Sequence, residues 1–174
     1  MLDVSVSYNR YKFLGHEFLT WLWYIIETEQ RGIRPGPGGV STLSLGNRVM
    51  LENRKDGTAE TITITGDEAG LEEGMLALNK GALVTELNLL FRSGDYQWRF
   101  TIKGESLHLV GFKGPRTGSV ETQEDLEGAV LEKVYLCEQA IQYMDGIFKQ
   151  FIVLRVSDDW AKKVVPRMKR WIRG

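Results

Sequence analysis

With 174 residues, 43% of them apolar and 26% charged, the chain has the size and composition of one globular domain with a substantial core. Cys137 is the sole cysteine, which excludes an internal disulfide and suits a reducing compartment. The formal charge of −1 conceals an asymmetry: cations crowd 31–55 and 157–174 while acids crowd 56–79 and 121–145, so near-neutrality does not exclude a polyanionic partner.

Met1-Leu2-Asp3-Val4-Ser5 lacks the basic-then-apolar pattern of a leader, and no apolar run reaches membrane length. The expectation is a cytoplasmic protein without membrane attachment. Val4, Val6 and Tyr8 alternate with polar neighbours, predicting a short strand or ordered arm over 1–12. A helix is expected from about His16 to Gln30. From Phe18 to Ile26 only Thr20 is polar, which predicts burial on every side. Gly15 would serve as its cap or hinge, with Glu17 in the first turn, where the helix dipole favours a carboxylate. Gly32 and Pro35-Gly36-Pro37-Gly38-Gly39 end it in a loop.

Val40–Leu45 and Arg48–Glu52 read as two strands joined by a Gly46-Asn47 hairpin turn. Lys55-Asp56-Gly57 makes the next turn, and Ala59–Thr65 alternates as a half-exposed strand. Gly66-Asp67 opens a helix over 67–79, with Leu71, Met75 and Leu78 at helical spacing and Gly81 as its stop. Strands are predicted at 82–92, 96–103 and 106–109. Leu83, Thr85, Leu87, Leu89 and Phe91 share one face of the first, and Trp98, Phe100 and Ile102 one face of the second. Gly111–Ser119 reads as a loop.

Between Thr122 and Val156, Leu126, Val130, Val134, Cys137, Ile141, Met144, Phe148 and Phe151 form a helical stripe that predicts one long helix. Ser157 is expected to cap a last helix, with Asp158 and Asp159 in its first turn. The whole predicts a single α+β domain over 1–174. Its helices pack on a largely antiparallel sheet, with a long helix and a basic terminal helix at the C-terminus.

No catalytic constellation emerges. His16 and His108 are the only histidines, and with one cysteine they make no metal set of recognisable spacing. Cys137, on the apolar stripe, reads as a buried structural thiol. Glu68, Glu72, Glu73, Glu121, Glu124, Asp125 and Glu127 fall in first turns of helices, where the dipole accounts for them. Pro35–Gly39 lacks the Lys-Ser/Thr of a phosphate loop and precedes a strand. The expectation is a non-enzymatic protein with no metal and no cofactor.

The last helix carries the strongest charge signal. Steps of about 100° per residue gather Trp160, Val164, Val165, Met168, Trp171 and Ile172 in one sector. Lys162, Lys163, Arg167, Lys169, Arg170 and Arg173 fill the opposite sector, as a phosphate-binding face or as the solvated side of a docked helix. Lys113 and Arg116 in the 112–118 loop are a second candidate, because glycine there permits close backbone approach. Arg31 and Arg34 follow the first helix, where cations suit the dipole equally well.

Phe18-Leu19-Thr20-Trp21-Leu22-Trp23-Tyr24 is similar to the corresponding segment of RdgC-type recombination-associated proteins. Lys80-Gly81-Ala82-Leu83-Val84-Thr85-Glu86-Leu87 resembles that family's lysine-glycine turn into a strand. Tyr96-Gln97-Trp98-Arg99-Phe100-Thr101 and Leu107-His108-Leu109-Val110-Gly111-Phe112-Lys113-Gly114-Pro115 resemble its paired strands and the loop before its final helices. The likeness runs in order over about residues 13–155 and falls on the C-terminal half of those longer proteins. It implies a bacterial, cytoplasmic, non-enzymatic homodimer, linked to recombination or the nucleoid, that binds double-stranded DNA through its phosphates without sequence preference. The family's ring with a basic interior would require its other half. No family DNA contact maps onto a residue here. The expected contacts, Lys162, Lys163, Arg167, Lys169, Arg170 and Arg173 with Lys113 and Arg116 as helpers, therefore rest on charge pattern. The alternative is a protein-interaction or oligomerisation module without DNA binding, acting through the long helix and exposed aromatics such as Tyr135 or Tyr143.

Overall fold

The computed structural model describes residues 4–28, 41–55, 58–66, 70–118 and 121–174. In chain order they form α1 (Val4–Thr28), β1 (Ser41–Lys55), β2 (Thr58–Thr65), α2 (Gly70–Asn79), β3 (Leu83–Ser93), β4 (Tyr96–Lys103), β5 (Leu109–Lys113), α3 (Gln123–Arg155), a π-helical turn (Trp160–Val164) and α4 (Val165–Arg173). The strands make one antiparallel sheet in the order β2-β1-β3-β4-β5. This is the α+β architecture expected.

Alternation along the strands sends one set of side chains to a common layer. Leu43, Val49 and Leu51 of β1, Val84, Leu87, Leu89 and Phe91 of β3, and Trp98, Phe100 and Ile102 of β4 are all buried there. From α1, Phe18, Leu19, Trp21, Leu22 and Trp23 are laid onto them; α3 adds Leu136, Ala140, Tyr143, Met144, Ile147 and Phe151. Each large apolar side chain so buried contributes about 1.5–3 kcal/mol. Phe91 stacks between Trp98 at 4.8 Å and Tyr143 at 4.0 Å, and the Trp98 indole N–H donates to the Leu136 carbonyl at 3.0 Å. Those contacts fix the middle of α3 over β3 and β4.

The structure corrects several local expectations. Val4–Thr28 is one helix, so no strand or arm occupies residues 4–12. Once the buried Phe18–Trp23 block holds the helix, adding turns ahead of it needs no new nucleation. Gly15 is therefore interior rather than a cap. A Cβ there would overlap the Gly104 carbonyl, so α1 approaches the β4–β5 turn as closely as glycine permits. The expected loop at 32–39 and the turn at Asp56-Gly57 lie outside the described residues.

Gly46-Asn47 is not a hairpin turn but part of a bulge in a continuous β1, between the pairs Leu45↔Leu89 and Val49↔Leu87. Pairing on both sides, to β2 and to β3, overrides the local turn signal. A second irregularity, between Met50↔Glu86 and Leu51↔Val84, turns Val84 into the core and leaves Leu83 exposed. Leu83 and Thr85 thus do not share the face of Leu87, Leu89 and Phe91. The last strand is Leu109–Lys113, not 106–109; Gly111, with φ 62°, sits at an irregularity within it rather than opening a loop. Gly81 does stop α2: its φ is 91°, and the Gly81 and Ala82 N–H groups donate to the Leu78 and Ala77 carbonyls at 2.9 and 3.0 Å.

Candidate nucleic-acid interface

The basic face begins with how α4 is anchored. Pro166 has no N–H to offer the Lys162 carbonyl, and the preceding turn widens so that the Val165 N–H donates to the Trp160 carbonyl. Trp160 and Met168 are buried, and Trp171 packs edge-on against Trp23 at 5.8 Å and Tyr24 at 5.5 Å. Arg155 ties three elements together: its Nε donates to Glu17 Oε2 at 2.8 Å, and its guanidinium lies 5.3 Å from the Trp160 ring centre. Glu17 is thus a mid-helix ion-pair partner rather than a first-turn acid. Ser157 does not cap the last helix; its hydroxyl donates back to the Leu154 carbonyl at 2.7 Å.

With its apolar sector docked as predicted, α4 turns Arg167, Lys169, Arg170 and Arg173 outward, all exposed. None of the four has a carboxylate partner among the described residues. Lys162 and Lys163 differ, because Asp158 and Asp159 one turn earlier pair with them at 2.7 and 2.9 Å. The expectation of six unopposed cations is corrected to four. The Asp-to-Lys spacing of four is visible in the sequence and accounts for the two acids as well as the helix dipole does.

Lys113 and Arg116 do not join this surface. α4 packs on α2 and α1, with α2 over β1 and β2, whereas Lys113 ends β5 at the far edge of the sheet. Arg116 lines a cleft of about 540 Å³ together with Lys133 and Cys137 of α3. Cys137 is only half-buried, which corrects the reading of it as a core thiol.

Sequence reasoning missed Arg92 and Arg99. Both lie on the sheet face turned away from the helices, where Arg99 pairs in register with Lys113 and Leu90, and Arg92 with Gln97. Alternation with Trp98 and Phe100 already put Arg99 outward. Its meeting with Lys113 required the true position of β5.

α3 departs from its expected stripe. Its buried face runs through Leu136, Ala140, Tyr143 and Ile147, while Leu126, Val130, Leu131, Val134, Tyr135 and Ile141 are between 44% and 70% exposed. Tyr143, expected as an exposed aromatic, is core, and burial pushes its phenol well above the ordinary tyrosine range. At the start of α3 a reciprocal cap forms: the Thr122 hydroxyl accepts from the Asp125 N–H at 3.1 Å, and the Asp125 carboxylate accepts from the Thr122 N–H at 2.9 Å. Hydrogen bonds from the Thr122 side chain and backbone hold the Asp125 carboxyl below the usual range.

Among the described residues no three His, Cys, Asp or Glu side chains converge as metal ligands, and no helix is long and apolar enough to cross a membrane. His16 ties α1 to β3 through Nδ1, 2.8 Å from the Val84 carbonyl oxygen. No protein-family model matches the chain, nor does any curated protein or solved structure.

Proposed function

We propose that the chain is a non-enzymatic protein that binds double-stranded DNA through its phosphates, without sequence preference. The observation that carries this is the outward face of α4. Arg167, Lys169, Arg170 and Arg173 form no ion pair among the described residues, on a helix whose opposite side is locked into the core by Met168 and Trp171 and, in the turn before it, Trp160. Because the helix is already docked, its backbone needs no ordering on meeting a polyanion, and its cations displace the condensed counterions. The resemblance of the Phe18–Tyr24 segment to RdgC-type proteins supports the same reading, and with it a cytoplasmic role linked to recombination or the nucleoid.

The test is a titration of duplex DNA at several salt concentrations. Four phosphate contacts would give a plot of log K against log salt with a slope of about −3.6. Combined Arg167→Glu, Lys169→Glu and Arg170→Glu substitution would flatten that slope and weaken binding to duplexes of different sequence alike. Absence of binding at low salt would refute the proposal.

A second reading, an interaction or oligomerisation module, is favoured by one observation. The exposed apolar stripe of α3, from Leu126 to Ile141, has no partner surface among the described residues of its own chain. Two copies could lay these stripes together about a two-fold axis, and such a homodimer is compatible with DNA binding on α4.

A further inference from the structure

We infer that the open face of the sheet is a second phosphate-binding surface, so that one copy of the chain holds two DNA duplexes, one on α4 and one across β3, β4 and β5. The inference rests on the reading of α4 as a DNA-contacting helix and adds a site that α4 does not contain.

Strand register builds this site. Arg99 on β4 stands directly opposite Lys113 on β5, and Arg92 on β3 is its diagonal neighbour, since Arg92 pairs with Gln97 and Leu90 with Arg99. All three cations are exposed. At strand spacing they form a row about 10 Å across. Like charges placed directly opposite on a sheet repel, and among the described residues no carboxylate forms an ion pair with any of the three. The hydrogen bond found for Arg92 goes to the uncharged Gln97 amide, at 3.2 Å. The face does carry acids, but in register they lie toward the other end: Glu86 pairs opposite Lys103, its ion-pair partner at 3.7 Å, and Glu52 pairs with Thr61. The end bearing Arg92, Arg99 and Lys113 has one acid near it among the described residues, Asp95 in the β3–β4 turn, and keeps an excess of positive charge that a phosphate chain would neutralise.

Side chains around the row select the form of the polyanion. Thr42, Ser44, Gln97 and Thr101 share this face and offer hydroxyl and amide donors suited to phosphate oxygens. The face carries no aromatic ring among the described residues, and proteins that hold unstacked single strands rely on such rings as platforms. Duplex backbone therefore fits better than single strand.

The two surfaces lie on opposite sides of the sheet, because α4 belongs to the helical layer and the Arg92–Arg99–Lys113 row to the face that no described helix covers. A duplex with a persistence length of about 50 nm does not turn back around so small a body to reach both. Two surfaces then mean two duplexes.

The experiment uses the full chain, a bead-bound duplex and a second, fluorescent duplex free in solution at low salt. The expected result is capture of the fluorescent duplex only when protein is present. Combined Arg92→Glu, Arg99→Glu and Lys113→Glu substitution should leave protein retention on the beads intact and abolish capture of the second duplex. A milder variant, Arg92→Gln with Lys113→Gln, should weaken capture; circular dichroism and melting check that both variants fold. Retention without capture by the unmodified protein overturns the inference while leaving the α4 reading standing. Undiminished capture by the charge-reversed variant also overturns it. Failure of the unmodified protein to stay on the beads overturns both.

Discussion

Gly15 illustrates how one residue's role depends on what faces it. In an exposed helix interior, replacing glycine by alanine stabilises by about 1 kcal/mol. Here the added methyl would meet the Gly104 carbonyl, and the helix cannot back away without lifting Phe18, Leu19 and Leu22 from the sheet. Gly15→Ala is therefore expected to destabilise by about 1–3 kcal/mol, the usual cost of overpacking, seen as a lower urea midpoint at unchanged slope. A raised midpoint would show that α1 does not press on the β4–β5 turn as described. Arg155 makes the complementary point. Its pair with Glu17 is partly exposed, at 34% and 30% for the two side chains, so its charge matters less than its position between α1, α3 and the turn before α4.

At the scale of elements, the face opposite the helices trades stability for charge. Lys113→Glu would set a carboxylate opposite Arg99 and convert a repulsive cross-strand pair into an attractive one. A gain of about 0.2–1 kcal/mol is expected, raising the melting temperature by about 1–3 °C. A lower melting temperature would mean that the two cations do not repel, and the case for a bound anion would weaken with it. The sequence discloses elements whose signal is local and repeated, such as the Phe18–Trp23 block, the β4 alternation, the Gly81 stop and the two-sided last helix. It misleads where pairing between distant segments decides. Gly46-Asn47 has every local mark of a turn and is straightened by two flanking strands; Gly111 reads as a breaker and is a kink within β5. The charged site followed the same rule. The outward sector of α4 was legible because one helix defines it, whereas the Arg92–Arg99–Lys113 row is assembled from three strands and exists only in their register.

Across the whole molecule the helices and the sheet form two layers, but α3 does not confine itself to them. At 33 residues it is about 50 Å long, and from Gln123 to Tyr135 almost every side chain faces solvent. If that stripe pairs two copies, sedimentation should show a dimer that dissociates on dilution, and Val130→Asp with Val134→Asp should give a folded monomer whose melting temperature no longer depends on protein concentration, since neither side chain supports its own core. A monomer at every concentration would remove the oligomerisation reading and leave each chain to act alone.

The widened turn at Trp160–Val164 bears on how this protein is able to vary over generations. Deleting one residue there, such as the exposed Ala161, would tighten the turn into an ordinary α-helix and leave α4 on its present side, because the widened turn already takes up one surplus residue. A deletion further on, such as Lys169, would instead rotate Trp171 and Ile172 by about 100° out of their sockets as cations swung in. The turn is thus the one place in the last helix open to drift in length as well as in spelling, because the residue it can lose is not one that sets which side meets the world.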